Sequence, residues 1–119
     1  MRFEDFIKDG KVRKSSVNQE LIRSLLKKSE KSFNFLRNLN INEENKEDIF
    51  VMHYESLRKI IEAMALLDGY KVYSHEAFTF LLKEKGEDAI SKEFDRYRKL
   101  RNGINYYDTE IDISEVRVG

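Results

Sequence analysis

The chain has 119 residues, enough for one domain with a single core. It holds no cysteine, which excludes disulfides, thiol nucleophiles and cysteine-ligated metal sites and fits a reducing compartment. Lys and Arg total 22 and Asp and Glu total 22, so the formal net charge is zero, which excludes a globally basic nucleic-acid binder and a polybasic membrane anchor.

Proline is absent, where average usage of ~5% would give roughly six. Internal proline damages helices most, so the composition leans all-α. Hydrophobic residues make up 40% and aromatic residues 12%, more than a disordered chain carries. No apolar run approaches the ~18 residues of a membrane span. The start, Met1 to Phe6, is charged and lacks the apolar stretch of a secretion signal, so a cytoplasmic location is expected.

Residues 1–14 read as an opening segment. Phe3, Phe6 and Ile7 repeat at helical spacing and Gly10 stops them, while Lys8, Lys11, Arg13 and Lys14 make this end basic. Ser15 and Ser16 are candidate N-caps for a long helix. Its apolar stripe is Leu21, Ile22, Leu25, Leu26, Phe33, Leu36 and Leu39, with small Ser29 and Ser32 predicting a close helix contact. Asn38, Asn40 and Asn42 predict a loop. A second helix is expected from Glu44 to Leu67, with Ile49, Phe50, His53, Tyr54, Leu57, Ile60, Ile61, Met64 and Leu67 inward. Glu55, Lys59 and Glu62 fall on the other side, with Arg58 at the margin. Asp68-Gly69 predicts a glycine stop.

Ser74 is a candidate N-cap for a shorter third helix carrying Ala77, Phe78, Leu81 and Leu82, closed by Lys83, Lys85 and Gly86. Asp88 opens a fourth helix through Ile90, Phe94, Tyr97, Leu100 and Ile104. The tail, residues 108–119, alternates Ile111, Ile113, Val116 and Val118 with polar residues and reads as a strand, a loop or the start of a truncated last helix. The expected architecture is all-α: an antiparallel four- to five-helix bundle, residues 1–119 forming one domain, with the two long helices paired as a hairpin. Zero net charge and a modest core favour a homodimer.

Arg101 falls at the centre of the stripe of the fourth helix. A guanidinium there needs a carboxylate partner or a wet cleft, because burial without a partner is costly. Glu55 and Glu62 are candidate partners, with Arg58 beside them. Asn105 follows at i+4 on nearly the same face. Gly103 inside a helix costs up to ~1 kcal/mol relative to Ala, which predicts a close approach, a kink or a need for access. Arg96, Arg98, Lys99 and Arg101 read either as a solvated face or as a set suited to phosphates. His53 reads as a core-edge histidine. His75 reads as serving the first turn of the third helix through local backbone. The histidines and the scattered carboxylates give no metal-ligand pattern.

These segments resemble the HEPN domains (higher eukaryotes and prokaryotes nucleotide-binding), compact α-helical bundles. The resemblance spans roughly residues 1–107. It rests on Gly10-Lys-Val-Arg-Lys, on the long helix from Val17, and on Tyr54-Glu-Ser-Leu-Arg-Lys-Ile-Ile-Glu-Ala. It rests further on Gly69-Tyr-Lys-Val-Tyr-Ser-His-Glu-Ala and, above all, on Tyr97-Arg-Lys-Leu-Arg-Asn-Gly-Ile-Asn-Tyr. Active members of that family are metal-independent ribonucleases. They carry an Arg, a following polar residue and a His four to six residues after the Arg, and two chains bring two copies together at a dimer cleft. The resemblance implies Arg101 as that arginine and Asn102 as the polar residue. The histidine is absent, and Tyr106 stands in its place between Asn105 and Tyr107. Cleavage by 2′-hydroxyl attack needs groups that move protons near neutral pH. Tyr, with a reference pKa near ~10, and non-titrating Asn replace His poorly.

Three functions follow as expectations. The first is a HEPN-like RNA- or nucleotide-binding protein with degenerate ribonuclease activity, contacting its ligand through Arg98, Arg101, Asn105, Tyr106 and Tyr107. As family relatives do, it would pair with a separate nucleotidyltransferase in a toxin–antitoxin-like system. The second is a helical dimerisation or protein-interaction module in which Glu55, Arg58 and Glu62 are structural partners of Arg101. The third is an active endoribonuclease using Arg101 and Asn102 with Tyr106 or Asn105. None implies a cofactor, a metal or a membrane.

Overall fold

In the computed structural model, residues 1–116 are described. They form α1 (Phe3–Lys8), β1 (Val12–Lys14), α2 (Gln19–Arg37), α3 (Lys46–Leu67), β2 (Tyr70–Val72), α4 (His75–Glu84) and α5 (Asp88–Tyr107), then one 3-10 turn, Ile113–Glu115. The fold is mostly helical, with one small sheet the sequence pattern did not announce.

That sheet is a two-stranded antiparallel ribbon with Val12 opposite Val72, Arg13 opposite Lys71 and Lys14 opposite Tyr70. Three-residue strands are too short for a period-2 pattern to register. Gly10 turns the chain from α1 into the ribbon at φ +76°, and Gly69 turns it from α3 into β2 at φ +84°. A side chain at either would be strained.

The N-cap of α2 is Asn18, whose carboxamide oxygen accepts from Leu21 N–H at 3.1 Å. The expected Ser15 and Ser16 caps are corrected: Ser15 N–H donates to the Gly69 carbonyl at 2.8 Å, extending the ribbon. Between α2 and α3, asparagines tie the loop to itself. Asn42 Oδ1 accepts from the backbone of Glu44 and Asn45 at 2.9 and 3.0 Å, while Asn45 Oδ1 accepts from Asn42 N–H at 2.8 Å.

α2 and α3 pack antiparallel. Ile22 and Leu25 share a cluster with Ala63 and Leu66 at one end, and Leu36 joins Ile49 and Phe50 at the other. Between them buried Ser29 donates to the Ser56 carbonyl at 2.7 Å, the close contact its small size predicted. Leu21, Leu26 and Leu67, expected inward, are exposed. The helices meet along a narrow line set by Ser29 and Ser56, and residues at the edges of the stripe fall outside it.

The main core gathers Phe3 and Phe6 of α1, Val12 and Val72 of the ribbon, Tyr54 and Ile61 of α3, Phe78 and Leu82 of α4, and Phe94 of α5. α5 sits on α4 with Ser91 inward, its hydroxyl donating to the Thr79 carbonyl at 2.8 Å. Ile90, expected inward, is exposed for that reason. The inward line of α5 runs Ser91, Phe94, Arg98, Arg101.

After α5 the chain reverses at Asp108, a left-handed residue with φ +52°. Thr109 N–H donates to the Gly103 carbonyl at 3.0 Å, and Ile111 and Val116 tuck against Leu36, Ile49 and Phe50. Through Val116 the tail is thus neither strand nor helix beyond its single turn. Ile113 is exposed, and Val118 lies outside the described residues. Among the described residues no helix is long and apolar enough to cross a membrane.

Candidate functional site

Phe94 and Tyr54 stack at the centre of the molecule, rings 5.3 Å apart and 22° from parallel, with Phe78 edge-on to Phe94 at 6.3 Å. One turn further along α5 the inward positions change from apolar to Arg98 and Arg101. The hydrophobic stack therefore ends in a layer of charge.

Arg58 of α3 completes that layer. Glu55 bridges two guanidiniums: its Oε2 accepts from Arg58 Nε at 3.0 Å and its Oε1 from Arg101 Nη2 at 3.2 Å. Glu62 accepts from Arg58 Nη1 at 3.2 Å, and Asp95 Oδ1 accepts from Nε and Nη2 of Arg98 at 3.1 and 2.9 Å. Three guanidiniums face three carboxylates, so the layer is neutral within itself. The expectation that Glu55 and Glu62 point away from the core is corrected, because their side chains lean along α3 toward Arg58 and Arg101.

Arg101 is the least satisfied member. Its side chain keeps 18% of its surface exposed and that of Glu55 keeps 27%. Nη1 donates to Asn102 Oδ1 at 3.1 Å, but Nε is buried with no partner among the described residues. The guanidinium carbon lies 5.6 Å from the centroid of the Tyr54 ring, a cation–π distance. A buried guanidinium N–H without an acceptor is a position an incoming anion could satisfy.

His75 belongs to the same neighbourhood, although it opens α4 and Arg101 lies near the end of α5. Its Nδ1 and the Tyr54 hydroxyl share a hydrogen bond of 2.9 Å. This corrects the expected local backbone role: α4 begins against the middle of α3, so its first residue meets Tyr54. Burial lowers the His75 pKa, and the positive charges of Arg58, Arg101 and Arg98 add to that against the opposing pull of Glu55. The ring is therefore neutral at neutral pH. Burial pushes the Tyr54 phenol up to about 12, so its proton stays in place for that hydrogen bond. Nothing in the spacing of Tyr54 and His75 signals their pairing; only the docking of α4 on α3 creates it.

The remaining site residues part company with Arg101. Asn105 is exposed, Tyr106 is 68% exposed and Tyr107 79%, all at the far end of α5. Among the described residues no hydrogen bond joins Tyr106 or Asn105 to Arg101. The basic stretch is also not free. Arg96 pairs with Glu93 at 2.8 Å and Glu115 at 2.6 Å, and Lys99 shares Asp95 at 3.1 Å. Burial opposes ionisation of Asp95, yet hydrogen bonds from Arg98 and Lys99 outweigh it and hold its pKa below the usual value. His53 sits at the core edge, between Phe33 at 5.4 Å and Tyr97 at 6.4 Å, its pKa lowered by burial. No three His, Asp or Glu side chains converge as metal ligands among the described residues.

Comparison of this chain with protein-family models, with curated proteins and with solved structures finds no match.

Proposed function

We propose that this chain is a HEPN-like RNA- or nucleotide-binding protein whose ribonuclease chemistry is degenerate. Its helices form the antiparallel four- to five-helix bundle of that family, two copies pair as a homodimer, and a separate nucleotidyltransferase is the partner in a toxin–antitoxin-like system. The observation that carries this is Arg101. It stands on the inward line of α5 with Nε buried and unpartnered, and with Glu55 held as much by Arg58 as by itself. A phosphate oxygen can approach the exposed edge of the guanidinium and take the Nε–H after a shift of the Arg101 side chain, while Glu55 keeps Arg58. Tyr106 and Tyr107, exposed at the end of the same helix, suit base stacking.

Cleavage is a separate matter. Among the described residues no hydrogen bond joins Tyr106 to Arg101, and Tyr106 stands in solvent, which supports degenerate rather than active chemistry for that pair. The interaction-module alternative draws on the opposite feature of the cluster. Each of Arg58, Arg98 and Arg101 already has a carboxylate within the chain, as purely structural arginines would.

The test is RNA and nucleotide binding by wild type and Arg101→Ala, with cleavage followed in the same tubes across the neutral pH range. Arg101→Ala leaves Glu55 paired with Arg58, so the fold is retained. Weaker binding by the variant than by wild type, with no cleavage by either protein, is the expected result. Equal binding by both proteins assigns the arginine to structure and removes the proposal. Arg101-dependent cleavage restores the active ribonuclease.

A further inference from the structure

The basic opening segment plays no part in the Arg101 site, and the ribbon gives it a shape. Val12 and Val72 face the core, so the alternation of the strands puts Lys11 and Arg13 of one and Lys71 and Tyr73 of the other on the outward side. Tyr73 N–H donates to the Lys11 carbonyl at 2.7 Å, which continues the ladder by one pair. The outward face is therefore a grid: Lys11 opposite Tyr73, and Arg13 opposite Lys71.

Two properties of that grid are unusual for a surface ribbon. Like charges placed directly opposite each other across an antiparallel pair are destabilising, yet Arg13 faces Lys71. Among the described residues neither of them, nor Lys11 or Lys14, forms an ion pair with a carboxylate, although the chain as a whole is charge-balanced. Tyr73 is also 59% exposed, and both cations lean on its ring, Arg13 at 5.4 Å and Lys71 at 5.7 Å from the centroid. Unpaired cations around an exposed aromatic ring match a strand of phosphates with accessible bases.

We propose that the outward face of the β1–β2 ribbon binds single-stranded RNA, with Lys11, Arg13 and Lys71 on successive phosphates and Tyr73 stacked against a base. Bases enclosed in a duplex cannot reach the ring, so the surface selects single strands. The proposal deepens the RNA-binding reading made above but uses none of the Arg101 residues, so the two can fail separately.

The experiment measures fluorescence anisotropy of a labelled short oligouridylate, and of an RNA duplex of equal length, over a salt series. The proteins are wild type, Tyr73→Ala, the double variant Arg13→Gln/Lys71→Gln, and Arg101→Ala, each checked for cooperative melting well above the assay temperature. Stacking on Tyr73 predicts a roughly 5- to 150-fold weaker affinity for the single strand in Tyr73→Ala. Two lost phosphate contacts predict a log affinity–log salt slope shallower by about 1.4 in the double variant. Wild-type affinity in both ribbon variants overturns the proposal, whether or not Arg101→Ala binds. Equal affinity of wild type for duplex and single strand overturns it as well. So does a double variant that weakens binding while Tyr73→Ala does not, since that describes a non-selective polyanion surface.

Discussion

Glu55 carries two guanidiniums on two oxygens, and the loss of its charge is felt unequally. Arg58 keeps Glu62, but among the described residues Arg101 has no second carboxylate. Removing one partner from a fully buried pair costs about 3–5 kcal/mol. Here both side chains keep part of their surface in water, which screens the interaction. Glu55→Gln is therefore expected to lower stability by about 1–2 kcal/mol, read from urea denaturation. Arg101→Ala should be milder, because Glu55 retains Arg58. The opposite order would mean that Arg101, not Glu55, holds α3 and α5 together. Arg101 was legible in the sequence as an anomaly on an apolar stripe, and Glu55 as a candidate partner. The Tyr54–His75 pair was not, because that contact depends on how α4 docks on α3 rather than on either residue's own neighbours, whereas the Asn18 cap is a local contact with Leu21 that the adjacent serines masked.

At the scale of elements, the end of α5 shows how one missing side chain links a helix to a tail. A Cβ on Gly103 would meet Thr109 Oγ1 at 2.8 Å and Thr109 Cβ at 3.1 Å. The close approach anticipated from a glycine inside a helix thus has a named neighbour. Ala would gain up to ~1 kcal/mol of helix propensity, but overpacking against a β-branched residue costs about 1–3 kcal/mol. Thr109 is held in place by its own backbone bond to Gly103, so it cannot simply withdraw. Gly103→Ala is expected to be destabilising by about 1 kcal/mol net and to speed proteolysis of the tail, with Thr109→Gly restoring both in the double variant. A Gly103→Ala protein more stable than wild type would show that the tail moves aside at no cost. The tail itself was the element least legible in advance: Ile111 and Val116 are buried by a reversal at Asp108, for which the alternation of apolar residues gave no direction.

Across the whole molecule, the two histidines should set stability between neutral and mildly acidic pH. Both have folded-state pKa values lowered chiefly by burial, against an unfolded reference near ~6.5. Both are neutral in folded and unfolded chains well above that value, and stability is then at its full level. As pH falls through ~6.5 the unfolded chain takes up protons before the folded one, and stability declines until the lowered folded pKa values are passed. Asp95, whose pKa is lowered, loses its contribution only in the more acidic range of carboxylates. The melting temperature of wild type is expected to drop between about pH 7.5 and about pH 5.5, and that of His75→Gln to drop less. Equal drops would assign the effect to His53. Legible in the linear pattern were the helical class, the places where glycines break the chain, a close helix contact at small Ser29, and the oddity of Arg101. Those follow from local spacing and backbone freedom, which a linear pattern records directly. The docking of distant segments sets the ribbon of residues 12–14 and 70–72, the approach of Tyr54 and His75 to the arginine layer, the separation of Tyr106 from it, and the packing of Ile111 and Val116 against Phe50. Each of these is a contact between segments distant in the chain, fixed by how helices dock and not by the residues that flank them.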